Sequence, residues 1–299
     1  SFSLGKISFI SSAVKKNKIT CPKIITTQEV ASTLSLAKEQ SNHLICPLNQ
    51  PFSLGVLTIE LLPSGYMLGS SSLLINMKGL KVLYAPNIQT NKLAKTRGLQ
   101  IKQADIFITN SSYANQPNNF SRKNEKVKLL GYLETKIKER RFPILFCSQS
   151  PSIAEISKLI LDKGMRLCVH KKAHEINKIY NISSNTYSNY SLFDHKKNIE
   201  QDIVLFPFDN NSNKELYSCI GRDEMYIHNS LTEMDSFEKR ANFLFPDTCD
   251  LTDLSLAVKE SRAKKVYIYG PWAEKAKRKL EALSIDVSIL YCENQQPLL

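Results

Sequence analysis

Two histidines four residues apart are the first candidates for chemistry in this sequence. His170 and His174 would share one face of a helix beginning near Lys172, and imidazoles at that spacing can form half of a metal site. No carboxylate or third histidine follows at a ligand spacing. Three roles therefore stay open for His170: metal ligand, contact to a phosphate group, or structural residue.

Basic residues form two clusters that could contact a polyanion. The chain carries 40 Lys and Arg against 28 Asp and Glu, a formal charge of +12, which attracts nucleic acid without sequence preference. One cluster spans 122–141. The other spans 259–279 and contains aromatic side chains suited to stacking on unpaired bases. Each cluster has a structural alternative, a solvated helix face, with the tryptophan as a core residue. The candidate nucleic-acid contacts are Lys259, Arg262, Lys264, Lys265, Trp272, Lys275, Arg278 and His170.

The cysteines and the short motifs exclude several classes of enzyme. Seven cysteines are scattered without a C-x-x-C pair, which favours a reducing compartment over a disulfide framework or a thiolate zinc site. Cys147 and Cys168 lie in apolar runs, where cysteine usually packs as a small buried side chain. Phosphate-binding glycine loops and nucleophile elbows are missing from the sequence. Thiol catalysis, nucleotide hydrolysis and α/β-hydrolase chemistry therefore have no support.

Short β-branched runs alternate with amphipathic segments, which is typical of an α/β protein. In the first part of the chain, the run 73–84 is split by a Lys-Gly turn and predicts a hairpin. The predicted strands here are Ile7–Ile10, Ile24–Thr26, Val56–Leu62, Leu73–Met77, Lys81–Tyr84 and Ile106–Thr109, with a helix at Gln28–Glu39.

From about Lys126 the pattern changes, and it changes back near Phe243. The middle part predicts a basic helix followed by a βαβα unit: helix Leu129–Arg140, strand Pro143–Cys147, helix Ile153–Lys163, strand Arg166–His170, helix Ala173–Tyr180 and, after a polar stretch over Asn181–Asn198, strand Ile203–Phe206. The last part predicts helix Leu251–Ser261, strand Lys265–Tyr269, helix Ala273–Leu283 and strand Asp286–Tyr291. We therefore expect one discontinuous domain, 1–124 with 244–299, and an inserted domain, 125–243.

Three stretches at strand ends follow one another in a fixed order. They read L-L-P-S-G-Y-M-L-G-S-S at 61–71, V-L-Y-A-P-N at 82–87 and D-I-F-I-T-N-S-S-Y-A at 105–114. In order and spacing they resemble L-P-A-G-H-x-L-G-S-A, V-L-Y-T-G-D and I-x-E-S-T-Y-G, motifs of the metallo-β-lactamase-fold nucleases with a β-CASP insertion. Pro143–Cys147 and Val169–Tyr180 are similar to the insertion of the compact branch associated with bacterial DNA ligases. The resemblance covers nearly the whole chain.

The resemblance implies an α/β fold, a metallo-β-lactamase-like αββα sandwich with an inserted β-CASP-like α/β domain. It also implies that the metal ligands of the family are lost. Two divalent cations need imidazoles and carboxylates around them, and a lysine at a ligand position would repel them. The acidic residue of E-S-T-Y-G becomes Asn110, whereas Asp247 and Asp250 remain in the segment similar to S-D-H-A-D. The degenerate metal-site positions are Ser12, Val14, Lys16, Asn17, Tyr66, Asn87, Thr248 and Gly270.

We therefore expect a catalytically inactive protein that is a nucleic-acid-binding or scaffolding subunit of a nucleic-acid-processing complex, in DNA repair or RNA processing. Inactive subunits of eukaryotic RNA 3′-end-processing complexes carry similar decayed motifs. The expected partners are single-stranded DNA or RNA and an active nuclease paralogue, with no cofactor, no catalytic residue and no membrane. The expected location is intracellular, cytoplasmic or nuclear/nucleoid.

Two alternative functions remain open. One is a divergent metal-dependent DNA or RNA exonuclease whose metal is held by Asp247, Asp250, His170 and His174. The other is a purely protein–protein partner of an active paralogue.

Overall fold

The computed structural model describes residues 2–4, 7–13, 23–34, 43–90, 96–115, 120–147, 151–194, 201–207, 222–228 and 241–291. The chain divides into two compact units. Unit 1 comprises Ser1–Asn119 and Thr248–Leu299, and unit 2 comprises Phe120–Asp247. The junctions expected from the sequence, after residues 124 and 243, differ from these by five and four residues.

The described strands form three sheets. The strands are β1 (Phe2–Leu4), β2 (Ile7–Phe9), β3 (Lys23–Thr26), β4 (Leu44–Ile45), β5 (Phe52–Leu54), β6 (Leu57–Pro63), β7 (Ser71–Met77), β8 (Leu80–Tyr84), β9 (Ile106–Asn110), β10 (Ile144–Cys147), β11 (Leu167–Val169), β12 (Tyr190–Leu192), β13 (Ile203–Pro207), β14 (Glu224–His228), β15 (Ala241–Leu244), β16 (Lys265–Tyr269) and β17 (Val287–Ile289). The α-helices are α1 (Gln28–Thr33), α2 (Arg122–Lys138), α3 (Ser152–Asp162), α4 (Lys171–Ile179), α5 (Leu251–Ser261) and α6 (Ala273–Glu281). The α/β class expected from the sequence is confirmed.

Unit 1 contains a larger sheet of order β17-β16-β9-β8-β7-β6-β5 and a smaller sheet of order β1-β2-β3-β4. Strands β5 to β8 are antiparallel neighbours, so the predicted hairpin at 73–84 is confirmed. Strands β8, β9, β16 and β17 run parallel. Their carboxyl ends therefore meet at one edge of the larger sheet, as parallel strands require.

Two hydrophobic cores hold unit 1 together, one on each face of the larger sheet. Phe9 and Ile25 of the smaller sheet pack against Leu73 and Tyr84 of the larger one. On the opposite face, the helices α5 and α6 contribute their apolar stripes to a second core, which includes Leu62, Leu83, Phe107, Leu254 and Leu280. Each such fully buried side chain contributes about 1.5–3 kcal/mol of transfer free energy.

Unit 2 contains a six-stranded sheet of order β12-β11-β13-β10-β14-β15, in which every described pair is parallel. The predicted βαβα unit corresponds to β10, α3, β11 and α4. Strand residues such as Leu145 and Leu205 are fully buried, as expected for a parallel sheet.

The secondary structure of unit 2 differs from the prediction in two places. The predicted helix Leu129–Arg140 begins already at Arg122, because Ser121 caps it by accepting a hydrogen bond from the Asn124 backbone N–H at 3.3 Å. The polar stretch over Asn181–Asn198, where no element was predicted, contains β12, a short edge strand with Tyr190 buried. Both segments are rich in polar residues, so apolar periodicity does not predict their helix or strand structure.

Candidate functional site

The loops that follow β8, β9 and β16 form the carboxyl edge of the larger sheet in unit 1. Asn87 follows β8, Asn110 ends β9, and Gly270 follows β16. Strand pairing places Tyr269 opposite Asn110, so the three loops are neighbours. This edge therefore brings together two of the positions that the resemblance assigns to metal ligands, Asn87 and Gly270, with Asn110, where the resembled motif has an acidic residue.

Asn87 and Asn110 are joined directly by a hydrogen bond between their side chains. The Asn110 Nδ2 group donates to Asn87 Oδ1 at 2.7 Å and also to the Pro86 carbonyl. Asn110 Oδ1 accepts from the backbone N–H and the hydroxyl of Ser112 at 2.8 and 2.6 Å. Two ionised carboxylates at this separation would repel each other, whereas amides offer a donor and an acceptor and satisfy each other. At this edge two amides therefore bond each other at positions where the resembled motifs have acids.

Gly270 leaves no room for a ligand side chain. It has a φ of +108°, and a Cβ atom there would lie 2.8 Å from Ser111 Oγ. That same hydroxyl accepts a hydrogen bond of 2.9 Å from the Trp272 backbone N–H. An imidazole at position 270 would have to displace Ser111 and break this contact.

The β6–β7 loop, residues 64–70, depends on two glycines with positive φ. A Cβ on Gly65 would lie 2.1 Å from the Gln89 carbonyl oxygen, and one on Gly69 would lie 2.4 Å from Glu29 Cβ. The Ser64 and Ser70 hydroxyls bond each other at 2.8 Å across the loop. Tyr66, at the position of the family's histidine, is buried in this tightly held loop.

The remaining described ligand positions lie on loops that hydrogen bonds connect to this edge. The Ser71 N–H donates to the Ser11 carbonyl at 2.9 Å, beside Ser12, and the Cys249 N–H donates to the Ile88 carbonyl at 3.0 Å, beside Thr248. Thus Ser12, Tyr66, Asn87, Thr248 and Gly270 belong to neighbouring loops of unit 1. The other three positions, Val14, Lys16 and Asn17, lie outside the described residues.

The acids and histidines named for the alternative metal site make hydrogen bonds to other groups. Asp247 accepts from Ser152 Oγ at 2.6 Å in unit 2, and Asp250 caps α5 in unit 1 by accepting from the Asp253 N–H at 2.9 Å. Among the residues that the structure describes, no group of three His, Cys, Asp or Glu side chains is placed to hold a metal ion.

His170 and His174 make separate contacts rather than one site. The His170 ring is 6% exposed, stacks on Phe206 with centroids 5.1 Å apart, and caps α4 by accepting from the Lys172 N–H at 3.2 Å. His174 Nδ1 lies 2.7 Å from the Tyr190 hydroxyl. Burial, with the charge of Lys178, lowers the pKa of His174 below its ordinary value. These contacts favour the structural role for His170.

The basic residues predicted as one cluster fall into two groups at opposite ends of β16. Lys264 and Lys265 lie where β16 begins, at the amino edge of the larger sheet, with Lys259 and Arg262 at the end of the preceding helix α5. Trp272 follows the carboxyl end of β16, and Lys275 and Arg278 lie on α6. The five residues of β16 span about 16 Å. A single nucleotide cannot contact both groups.

Trp272 lies at the boundary between the core and the surface of unit 1. Its half-buried ring packs against the core formed by α5, α6 and the larger sheet. The Lys275 ammonium lies 5.7 Å from the centroid of the indole ring. The amino-edge lysines carry acidic partners: Lys264 Nζ is 3.8 Å from Asp105 Oδ1, and Lys265 Nζ is 2.7 Å from Asp286 Oδ1.

Sequence reasoning missed one polar cavity of unit 1, which lies on the face of the larger sheet towards its amino edge. The cavity is lined by Pro51, Thr58, Glu60, Leu74, Asn76, Lys81, Lys102 and Gln103. The available signal was Glu60, a charged residue within the apolar run of β6.

Comparison with known proteins informs the fold alone. No protein-family model matches the sequence, and no curated protein matches it either. Among solved structures, the chain is similar to a protein of unknown function from Enterococcus faecalis V583, with a TM-score of 0.60 and 11% sequence identity. The match covers 97% of this chain and 80% of that chain. Within the described residues, no helix is both long and apolar enough to span a membrane.

Proposed function

We propose that this chain is a catalytically inactive metallo-β-lactamase-like protein with a β-CASP-like insertion, which binds nucleic acid as a subunit of a processing complex. The observation that carries the proposal is the hydrogen bond between Asn87 and Asn110 at the carboxyl edge. A two-metal hydrolase needs acids and imidazoles to generate hydroxide and to stabilise the leaving oxygen. The amides at this edge are neutral and occupied with each other.

The arrangement of the loops supports the αββα part of the proposal. The motifs that resemble those of the nucleases lie at the ends of β6, β8 and β9, and the loops after them are hydrogen-bonded neighbours. Unit 2 is inserted between two segments of unit 1, as expected for a β-CASP-like insertion. The metal ligands are absent, but the loops supported by glycines are present. We expect this combination in a protein that has kept the fold of an enzyme and lost its activity.

The charge distribution supports nucleic acid as the partner. Lys259, Arg262 and Lys264 are exposed at or near the amino edge, and Arg262 is the left-handed cap that ends α5. Exposed cations of this kind neutralise phosphates and release counterions, so binding should weaken steeply with salt. We assign the primary contact to this group and a secondary contact to Trp272 and Lys275.

The test is a titration of fluorescently labelled single-stranded DNA and RNA at several salt concentrations. We expect a log–log salt slope of several units for the native chain, and a slope lower by about one for Lys264→Gln. Lys163→Gln, which removes an exposed lysine of unit 2 outside both basic clusters, is the charge-matched control and should leave the slope unchanged. Trp272→Ala should weaken binding by about 1–3 kcal/mol if the indole stacks on a base.

A thermal melt of the same variants separates binding from stability. A Trp272→Ala protein that melts at a lower temperature but keeps its affinity has lost a core residue only. Equal effects of Lys264→Gln and Lys163→Gln on the salt slope would refute the amino-edge interface. Affinity no tighter than that of an unrelated protein of similar charge would refute nucleic-acid binding and favour a purely protein–protein scaffold.

A further inference from the structure

The polar cavity of unit 1 is formed by side chains that strand pairing places in rows. Thr58 of β6, Asn76 of β7 and Lys81 of β8 are consecutive cross-strand partners and therefore share one face of the sheet. The next row begins with Glu60 opposite Leu74. Lys102 and Gln103, which precede β9, help to line the cavity. Its volume is about 310 Å³, at the lower limit of small-molecule sites.

Glu60 is the buried anion of this cavity, and it already has a partner. Its carboxylate is 6% exposed. Lys102 Nζ donates to both of its oxygens, at 2.6 and 2.9 Å. This pair is neutral as a whole. Lys81, whose backbone N–H donates to Asp105 Oδ2 at 2.9 Å, is therefore the second cation that lines the cavity.

Lys81 and the neighbouring polar groups have hydrogen-bond donors that no described side chain accepts from. Lys81 is half-buried, and within the described part of the chain no side chain accepts from its ammonium. Asn76 Oδ1 accepts from the Gly79 N–H at 3.0 Å, so the amide of Asn76 has its Nδ2 donors left. The Thr58 hydroxyl and the Gln103 amide also make no bond to another described residue. A partly desolvated cation surrounded by donors is stabilised by an anion that has several acceptor oxygens.

We infer that the cavity of Lys81, Lys102 and Glu60 binds a phosphate group, most simply that of a small phosphate ester. Lys81 supplies the charge, Asn76, Thr58 and Gln103 supply hydrogen bonds, and the ion pair of Glu60 and Lys102 lines the cavity beside them. The site lies on the larger sheet towards its amino edge, whereas Asn87 and Asn110 lie at the carboxyl edge, beyond the length of β8. The inference does not depend on the proposed function.

Calorimetric titration of the full chain with inorganic phosphate and with adenosine monophosphate tests the inference. We expect saturable binding of both and none of adenosine. Lys81→Gln should weaken binding about tenfold, because a charge-assisted hydrogen bond is lost. Lys123→Gln removes the same charge from an exposed position of unit 2 and should bind as the native chain does. Glu60→Gln should bind phosphate more tightly, because it leaves Lys102 uncompensated.

A single-stranded oligonucleotide without terminal phosphates distinguishes the source of the phosphate group. If it displaces adenosine monophosphate from the native chain, the cavity accepts a nucleic-acid backbone; if it does not, the cavity is restricted to small esters. The absence of saturable binding by both phosphate probes would overturn the inference. Equal weakening in Lys81→Gln and Lys123→Gln would also overturn it, because only general charge would then matter. Loss of oligonucleotide binding with retained adenosine monophosphate binding would count against the proposed function alone.

Discussion

At the scale of single residues, the amide of Asn110 accounts for most of the order at the carboxyl edge. It bonds Asn87, the Pro86 carbonyl and two groups of Ser112. An acid in its place could still accept from Ser112, but it could not donate to Asn87 or Pro86 when ionised. The hydrogen bonds at this edge therefore require a neutral side chain at position 110.

Replacing Asn110 by leucine should destabilise unit 1. Four hydrogen bonds are lost and their partners stay partly buried, so the free energy of unfolding should fall by about 2–4 kcal/mol. Denaturant unfolding measures this change. Asn124→Leu, on the exposed face of α2, is the control and should change stability by less than about 0.5 kcal/mol. A similar small change for Asn110→Leu would show that the network contributes little.

Glu155 is the residue whose ionisation should matter most to unit 2. Burial would raise the pKa of its carboxyl, but hydrogen bonds and charge from Arg122 and Lys126 outweigh burial and hold the pKa below its ordinary value. The Arg122 side chain is 7% exposed and also bonds the Pro246 carbonyl at 2.6 Å. The pair joins the two ends of the inserted segment within unit 2.

The lowered pKa predicts a direction for acid stability. The ionised carboxylate stabilises unit 2 fully above the unfolded pKa of about 4. That contribution is lost as pH falls through the lower, folded pKa. Glu155→Gln should cost about 3–5 kcal/mol at pH 7, because Arg122 stays buried and unpaired. It should also lose less stability than the native chain between pH 5 and pH 2. Glu175→Gln, at an exposed site on α4, should leave the acid profile unchanged.

At the scale of elements, the sequence predicted those segments whose own residues decide their structure. Helix α5 and strand β16 match their predicted bounds, because apolar periodicity and the Asp250 cap define the helix and alternation defines the strand. The strands β1, β4, β5, β12, β14 and β15 were not predicted. The first four have only two or three residues, which show no periodicity and depend on a neighbouring strand for pairing. The sequence predicted which residues lie at the candidate site but not their contacts. The amide network and the cavity at Glu60 are formed by residues that are distant in the sequence, so local patterns do not predict them.

The β6–β7 loop should depend on Gly65 more than the β7–β8 turn depends on Gly79. Both have positive φ, but a Cβ on Gly79 meets nothing within 4 Å, whereas one on Gly65 lies 2.1 Å from a backbone oxygen. Gly79→Ala should cost about 1–2 kcal/mol from backbone strain alone. Gly65→Ala should cost more than about 3 kcal/mol, because the Gln89 loop must also move. Thermal melts of the two variants compare these costs, and equal losses would show that the loop can rearrange freely.

At the scale of the whole molecule, the two edges of the larger sheet in unit 1 carry different side chains. The carboxyl edge keeps the glycines and the loop contacts but holds amides, while the amino edge carries most of the exposed cations predicted to contact phosphates. The proposed binding surface and the edge that resembles a metal site are therefore separated by the length of β16. Variants at Asn87 should leave oligonucleotide affinity unchanged.

The central claim is that the carboxyl edge no longer forms a two-metal centre. The most direct measurement is the zinc and manganese content of the purified chain after incubation with both ions and desalting, determined by elemental analysis. We predict much less than one ion per chain, because neutral amides and a glycine occupy the edge. A content of about two ions per chain that falls when Asn87 is replaced by alanine would contradict the claim, since a two-metal hydrolase holds its ions at this place.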